Sequence, residues 1–91
     1  MFEWDERKSS ANLAKHGVDF DAIFEFDWLT SVEVEDDRFD YGEDRLVAIG
    51  WLRGDLYTVT FTWRGDIMRI ISLRKSDKRD RTFFANAQKE A

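Results

Sequence analysis

The chain has 91 residues, 43% of them hydrophobic and 15% aromatic, which is enough for one small packed domain spanning residues 1–91 and too little for a second. It has no cysteine, so disulfides and thiolate metal sites are excluded, and no apolar run approaches the roughly 18 residues that a membrane span needs. The opening acids Glu3, Asp5 and Glu6 do not read as a basic leader, and a soluble, cytoplasmic protein with no membrane contact is expected.

The formal net charge of -5 argues against generic nucleic-acid binding, but charge is unevenly spread. Residues 32–44 carry Glu33, Glu35, Asp36, Asp37, Asp40, Glu43 and Asp44 against Arg38 alone. Residues 69–81 carry Arg69, Arg74, Lys75, Lys78, Arg79 and Arg81 against Asp77 and Asp80. If folding keeps the two segments apart, one face attracts anions.

In chain order, residues 2–4 are a candidate short edge strand. Asp5 then reads as the N-cap of a first helix reaching His16, with Lys15 and His16 in its last turn and Gly17 as the left-handed residue that stops it. Val18 and Asp19 open a second helix, with Asp19 as N-cap, Val18 stapling to Ile23, and Ala22, Ile23 and Phe26 as an apolar face ending near Trp28. From Ser31 the helical period gives way to β-branched and aromatic residues with turn signals. Strands are predicted near 31–35 and 45–52, then on either side of Arg64-Gly65-Asp66, with Asp40-Tyr41-Gly42 in the first loop and Arg53-Gly54-Asp55 as the other hairpin tip. Turn chemistry explains both Arg-Gly-Asp triplets better than an adhesion role does. A terminal helix starts at Ser76 or Asp77, with Phe83, Phe84 and Ala87 as its apolar positions. The expected fold is α+β: two N-terminal helices, a four-stranded antiparallel sheet and a C-terminal helix. One face of the third strand carries Tyr57, Val59, Phe61 and Trp63, and the other, wettable face carries Leu56, Thr58, Thr60 and Thr62.

Cleavage of RNA without a metal needs a base for the 2′-hydroxyl, cations for the phosphorane and an acid for the departing 5′-oxygen. Arg69 and Arg74 suit the phosphate, because a guanidinium donates two hydrogen bonds in one plane and keeps its charge. Glu43 or His16 is a candidate base, His16 or Lys15 a candidate acid, and Trp4 and Tyr41 offer stacking planes. Each has a structural alternative: His16 as a helix terminator, Trp4 as core, Glu43 and Arg45 as a surface ion pair. Ideal alternation sets Arg69 with Ile67, Ile71 and Leu73, opposite Met68, Ile70 and Arg74, so a bulge is needed to bring both arginines to one site. No zinc cluster, phosphate loop or nucleophile elbow is present, and Asp36, Asp37, Asp40 and Glu43 match no cation loop, so neither a metal nor a cofactor is expected.

Phe2-Glu3-Trp4-Asp5, Lys8, Asn12, Lys15-His16-Gly17-Val18, Phe20, Asp37-Arg38, Gly42-Glu43, Arg45, Arg69-Ile70-Ile71-Ser72 and Arg74 together resemble the BrnT toxins of bacterial type II toxin-antitoxin modules. The likeness covers nearly the whole chain. It departs at the end, where that family usually reads Ser-Ala-Arg-x-Ala and then Glu-Arg, against Ser72-Leu73-Arg74-Lys75-Ser76 and Asp80-Arg81. The resemblance implies a RelE-like fold, metal-independent ribonuclease activity that arrests translation, and neutralisation by a BrnA-type antitoxin. That antitoxin carries the ribbon-helix-helix part, so DNA is touched only through the complex. The site implied has Arg45, Arg69 and Arg74 on the phosphate, Glu43 or His16 handling protons, and Trp4, Lys8, Lys15 and Lys75 contacting RNA. The competing expectation is a module of the same lineage that binds an antitoxin-like partner, through the acidic stretch and exposed aromatics such as Trp28, without cleaving.

Overall fold

The computed structural model describes residues 1–36 and 42–89. Tyr41, Asp37, Arg38 and Asp40, named above, lie outside the described residues. The elements are β1 (Phe2–Glu3), α1 (Glu6–His16), a 3-10 helix (Phe20–Glu25), β2 (Val32–Asp36), β3 (Arg45–Leu52), β4 (Asp55–Arg64), β5 (Ile67–Lys75) and α2 (Lys78–Lys89).

The α+β class holds, with two corrections. The sheet has five strands in the order β1-β5-β4-β3-β2 and is mixed, because the edge segment pairs parallel to β5, Phe2 with Met68 and Glu3 with Arg69. The second N-terminal helix is a six-residue 3-10 turn that stops at Glu25, short of Trp28. The cause is in the spacing: Phe20, Ile23 and Phe26 are all buried, and a repeat of three residues fits three residues per turn, not 3.6. Asp19 stands at its N-cap position, but its side chain makes no capping hydrogen bond.

The first helix follows its signals. Asp5 accepts the Arg7 backbone N–H at 2.8 Å, and Gly17 at φ 77° returns its own N–H to the Leu13 carbonyl. The hairpins use the same triplet in two ways. Arg53 and Gly54, both at positive φ, form the two-residue turn between Leu52 and Asp55, as a type I′ turn requires. In the second hairpin Arg64 still belongs to β4, and Gly65, at φ 61°, opens the turn.

One sheet face is the main core. Ala48, Leu52, Val59, Phe61, Met68, Ile70 and Leu73 are buried there under α1 and the 3-10 helix, together with Val18, Phe20 and Ile23. The other face is covered only in part. Phe84 of α2 docks on Ile49 and Leu56 and meets Trp51 edge-on at 5.9 Å, an anchor worth about 1.5–3 kcal/mol of burial. Phe83, expected to share that packing, is 45% exposed, whereas Phe84 is 6% exposed. Consecutive helical residues point about 100° apart, so only one of them can face the sheet.

Two small polar residues hold α1 in place. The Ser9 hydroxyl accepts the Phe20 N–H at 2.9 Å. The Asn12 amide donates to the carbonyls of Val18 (2.8 Å) and Leu73 (2.6 Å), and its oxygen accepts the Leu73 N–H (3.3 Å). Because β1 pairs only with Met68 and Arg69, the β5 edge beyond it has no neighbouring strand among the described residues, and the Asn12 amide pairs with Leu73 as a peptide group would.

Candidate active site

The site begins with an irregularity in β5. Thr60 pairs with Ser72 but Phe61 pairs with Ile70, which leaves Ile71 as an extra residue. A bulge of this kind reverses the alternation beyond it. Arg74, opposite Thr58, therefore shares a face with Ser72, opposite Thr60, and with Arg69, opposite Thr62. This is the threonine face, opposite the main core.

The register carries the pattern across the sheet. Asp36 lies opposite Arg45, and Arg45 takes the position next to the Leu46–Phe61 pair, which sets it beside Thr62. Thr62 faces Arg69, which faces Glu3. Asp36, Arg45, Thr62, Arg69 and Glu3 thus form one row over five strands. The next row holds Val34, Val47, Thr60 and Ser72, and the one after it ends in Arg74. With strands about 4.8 Å apart and rows about 6.7 Å apart, Arg45 and Arg69 stand roughly 10 Å from each other, and Arg74 about 13 Å along the strand from Arg69. The three arginines share this face with Thr60, Thr62 and Ser72, and Arg74 lines the groove that Thr60 and Ser72 floor.

Each arginine already has a carboxylate. Arg69 donates to Glu3 at 2.6 Å, with Arg64 at 3.9 Å from the same oxygen. Arg45 meets Glu43 at 3.4 Å. Arg74 donates to Asp80 at 2.7 Å, and that same Asp80 oxygen accepts the Thr58 hydroxyl and the Asp77 N–H, each at 3.1 Å. The Asp77 carboxylate in turn accepts the Asp80 N–H at 2.9 Å, a reciprocal capping box that starts α2. Burial opposes ionisation of Asp80, but Arg74 and the Asp77 N–H outweigh it and hold the carboxyl below the usual range.

His16 ends α1, half-buried on the main-core side of the sheet, and the charge of Arg74 on the opposite face is the weakest of the three influences on it. Burial, then Lys15, then Arg74 lower its pKa, so it is neutral near pH 7 and a proton acceptor first. Lys15 is exposed beside it. Glu43 stands at the Arg45 end of the face, apart from His16. The remaining candidates lie elsewhere. Trp4 packs edge-on against Phe20 and Phe24 on the helical side and donates to Glu6 at 2.9 Å. Lys8 is exposed on α1, and Lys75 falls on the other side of β5, 3.3 Å from Asp55.

Between α2 and the open sheet face lies a groove of about 380 Å³. Its lining includes Thr60, Ser72 and Arg74, and also Arg79 and Phe83, which the sequence reading did not assign to the site. The signal for Arg79 was its place in the first turn of a helix that follows the arginine strand. Among the described residues no group of three or more His, Asp or Glu could hold a metal ion, and no helix is long and apolar enough to cross a membrane.

Comparison with known families shows a match to the family model for the ribonuclease toxin, BrnT, of type II toxin-antitoxin systems over residues 4–80. Among curated proteins nothing matches.

Proposed function

Since the chain belongs to the BrnT family of type II toxin-antitoxin ribonuclease toxins, we propose that it is a metal-independent endoribonuclease acting through the open face of its sheet. The observation that carries this reading is the Ile71 bulge, which turns Arg69 and Arg74 to the same side as Arg45. Three guanidinium groups on a hydroxyl-bearing face suit a phosphate whose charge grows in the transition state. In the proposed reaction His16, kept neutral by its burial at the end of α1, takes the proton of the 2′-hydroxyl. The 2′-oxygen bonds to phosphorus and the bond to the 5′-oxygen breaks. The leaving oxygen takes a proton from water at this open face, the hydroxide so formed takes back the proton held by His16, and the products are a 2′,3′-cyclic phosphate and a free 5′-hydroxyl.

The wider reading follows family membership. The chain is one RelE-like domain over residues 1–91, works in the cytoplasm, arrests translation, and is neutralised by a BrnA-type antitoxin whose ribbon-helix-helix part alone meets DNA. One observation favours the rival, a partner-binding module without activity: all three arginines are already paired with carboxylates. Induced expression followed by RNA sequencing, with cleavage by the purified protein in chelator, separates the two. The nuclease halts growth and fragments RNA, and Arg69→Gln lowers kcat about 10²–10³-fold. Normal growth with folded protein accumulating, and intact RNA in vitro, removes the enzymatic reading.

A further inference from the structure

The reaction above gives no part to Arg64, the last residue of β4. Its place follows from register. Thr62 pairs with Arg69, and two residues on Arg64 pairs with Ile67, so Arg64 projects from the same face as Arg69. Glu3, opposite Arg69 on β1, reaches that face as well. The three side chains converge on one atom. Glu3 Oε2 accepts from Arg69 Nη1 at 2.6 Å, and Arg64 Nη1 stands 3.9 Å from the same oxygen. The first contact is a charge-assisted hydrogen bond, whereas the second is too long for one and attracts by charge alone. Among the described residues no other carboxylate comes within ion-pair distance of Arg64. Its side chain is 56% exposed, against 26% for Arg69 and 34% for Glu3, so it is the outermost of the three and the freest to move.

Two guanidinium groups therefore share one carboxylate, and the nearer one is the group that the reaction needs. A phosphate that reaches Arg69 while Glu3 stays there meets a second anion at contact distance, which repels it. Arg64 offers that anion another partner on the same face. Closing the gap from 3.9 Å to a hydrogen bond takes a movement of about 1 Å. Exposed side chains make such moves within nanoseconds. We propose that Arg64 is a positioning residue: when a phosphate of RNA reaches Arg69, the Glu3 carboxylate passes from Arg69 to Arg64, which holds it aside and neutralises it. The proposal rests on the reading of the arginine face as an RNA site and adds how one of its paired arginines is released.

The test is a double-mutant cycle between Arg64→Gln and Glu3→Gln on the full chain. Binding of a fluorescein-labelled, fully 2′-O-methylated RNA decanucleotide, which lacks the attacking hydroxyl, is followed by anisotropy at about 0.15 M salt, where distant surface charges are screened. Arg64→Gln should weaken binding about 2- to 5-fold, the scale of a surface ion pair. Arg64→Lys, which keeps the charge, should bind like the parent. In the Glu3→Gln background, Arg64→Gln should change nothing, because no carboxylate is left to hold. Equal losses in both backgrounds show that Arg64 touches RNA directly and overturn the exchange. So does a parent-like Arg64→Gln, or a parent that fails to bind at millimolar concentration. Cleavage of the unmodified decanucleotide is read separately, and there Arg64→Gln should raise KM and leave kcat, since Glu3 moves on binding and not in the chemical step. Cutting without coupling between residues 3 and 64 leaves the nuclease and removes the exchange. Coupled binding without any cutting leaves the exchange and removes the nuclease.

Discussion

Replacing Asn12 by alanine tests whether one buried amide ties the first helix to the arginine strand. The side chain is 7% exposed and makes three hydrogen bonds, two of them to Leu73, which precedes Arg74. Both polar groups of Leu73 point to an edge where β1 does not reach, so no strand among the described residues can take over from the amide. A lost hydrogen bond costs about 1 kcal/mol and a buried group left unsatisfied about 1–3 kcal/mol. With water entering the space left behind, the total for three groups is about 3–4 kcal/mol. That is a large share of the roughly 5–14 kcal/mol expected for a domain of this size. Urea unfolding followed by the fluorescence of the four tryptophans should show a lower midpoint at unchanged slope. Asn12→Asp should be at least as damaging, because a carboxylate has no N–H for two carbonyl oxygens and brings a charge into a buried place. A loss below about 1 kcal/mol for alanine, or a milder effect for aspartate, would refute the strand-like role of the amide.

Three further outcomes follow from single contacts. Gly50→Ala places a Cβ 2.7 Å from the Phe26 ring and 3.1 Å from the Asp27 carbonyl, so the 26–31 crossing must move; a loss of about 1–3 kcal/mol should appear as a lower thermal midpoint, and an unchanged midpoint contradicts the close approach. His16, with its pKa lowered, serves as base only when neutral, so kcat/KM should fall as pH drops through a value below 6.5, and His16→Gln should lower the rate and erase that limb; a limb above 6.5 that survives the substitution removes His16 as base. The Asp80 carboxyl is held below 3.8, so the unfolded chain binds its proton first and the stabilisation is present above that pH and lost as pH falls through the folded value; Asp80→Asn should cost about 1–2 kcal/mol at pH 7 and progressively less as pH falls below 3.8, and a gap that does not shrink in acid shows that the ion pair is not its source.

What was legible in the sequence is local. Gly17 stops a helix by its own φ preference, and Gly54 and Gly65 make turns whatever surrounds them. What was not legible depends on partners distant in sequence. The Ile71 bulge exists only in the pairing of β5 with β4, since nothing within Ile70-Ile71-Ser72 marks which residue is extra. The sequence could state the need for a bulge and not its place. Asn12 reads as an ordinary helix position until its partner 61 residues away is known. Phe83 and Phe84 are equivalent in composition, and only the docking angle of α2 decides which one is buried. The parallel pairing of β1 was likewise hidden, because two residues carry no periodicity.

The paired arginines bear on how a chain of net charge -5 can serve RNA chemistry. Glu3, Asp80 and Glu43 hold the three guanidinium groups on the open face before any ligand arrives, at the expense of long-range attraction for RNA. The Arg45–Glu43 pair is exposed and contributes only about 0–1 kcal/mol, so an arriving phosphate can displace that carboxylate at little cost, whereas the part-buried Arg69–Glu3 and Arg74–Asp80 pairs resist exchange more. The exchange is not equal along the reaction. A phosphodiester carries one negative charge, whereas the phosphorane formed by attack of the 2′-oxygen carries nearly two, and it competes for the same forks more strongly than the substrate does. Displacing a resident carboxylate costs the same for the diester and for the phosphorane, so the acids weaken both alike, and the barrier from bound substrate is lowered only by the stronger attraction of the phosphorane's extra charge. In the proposed reaction the acidic balance slows encounter without weakening the chemical step.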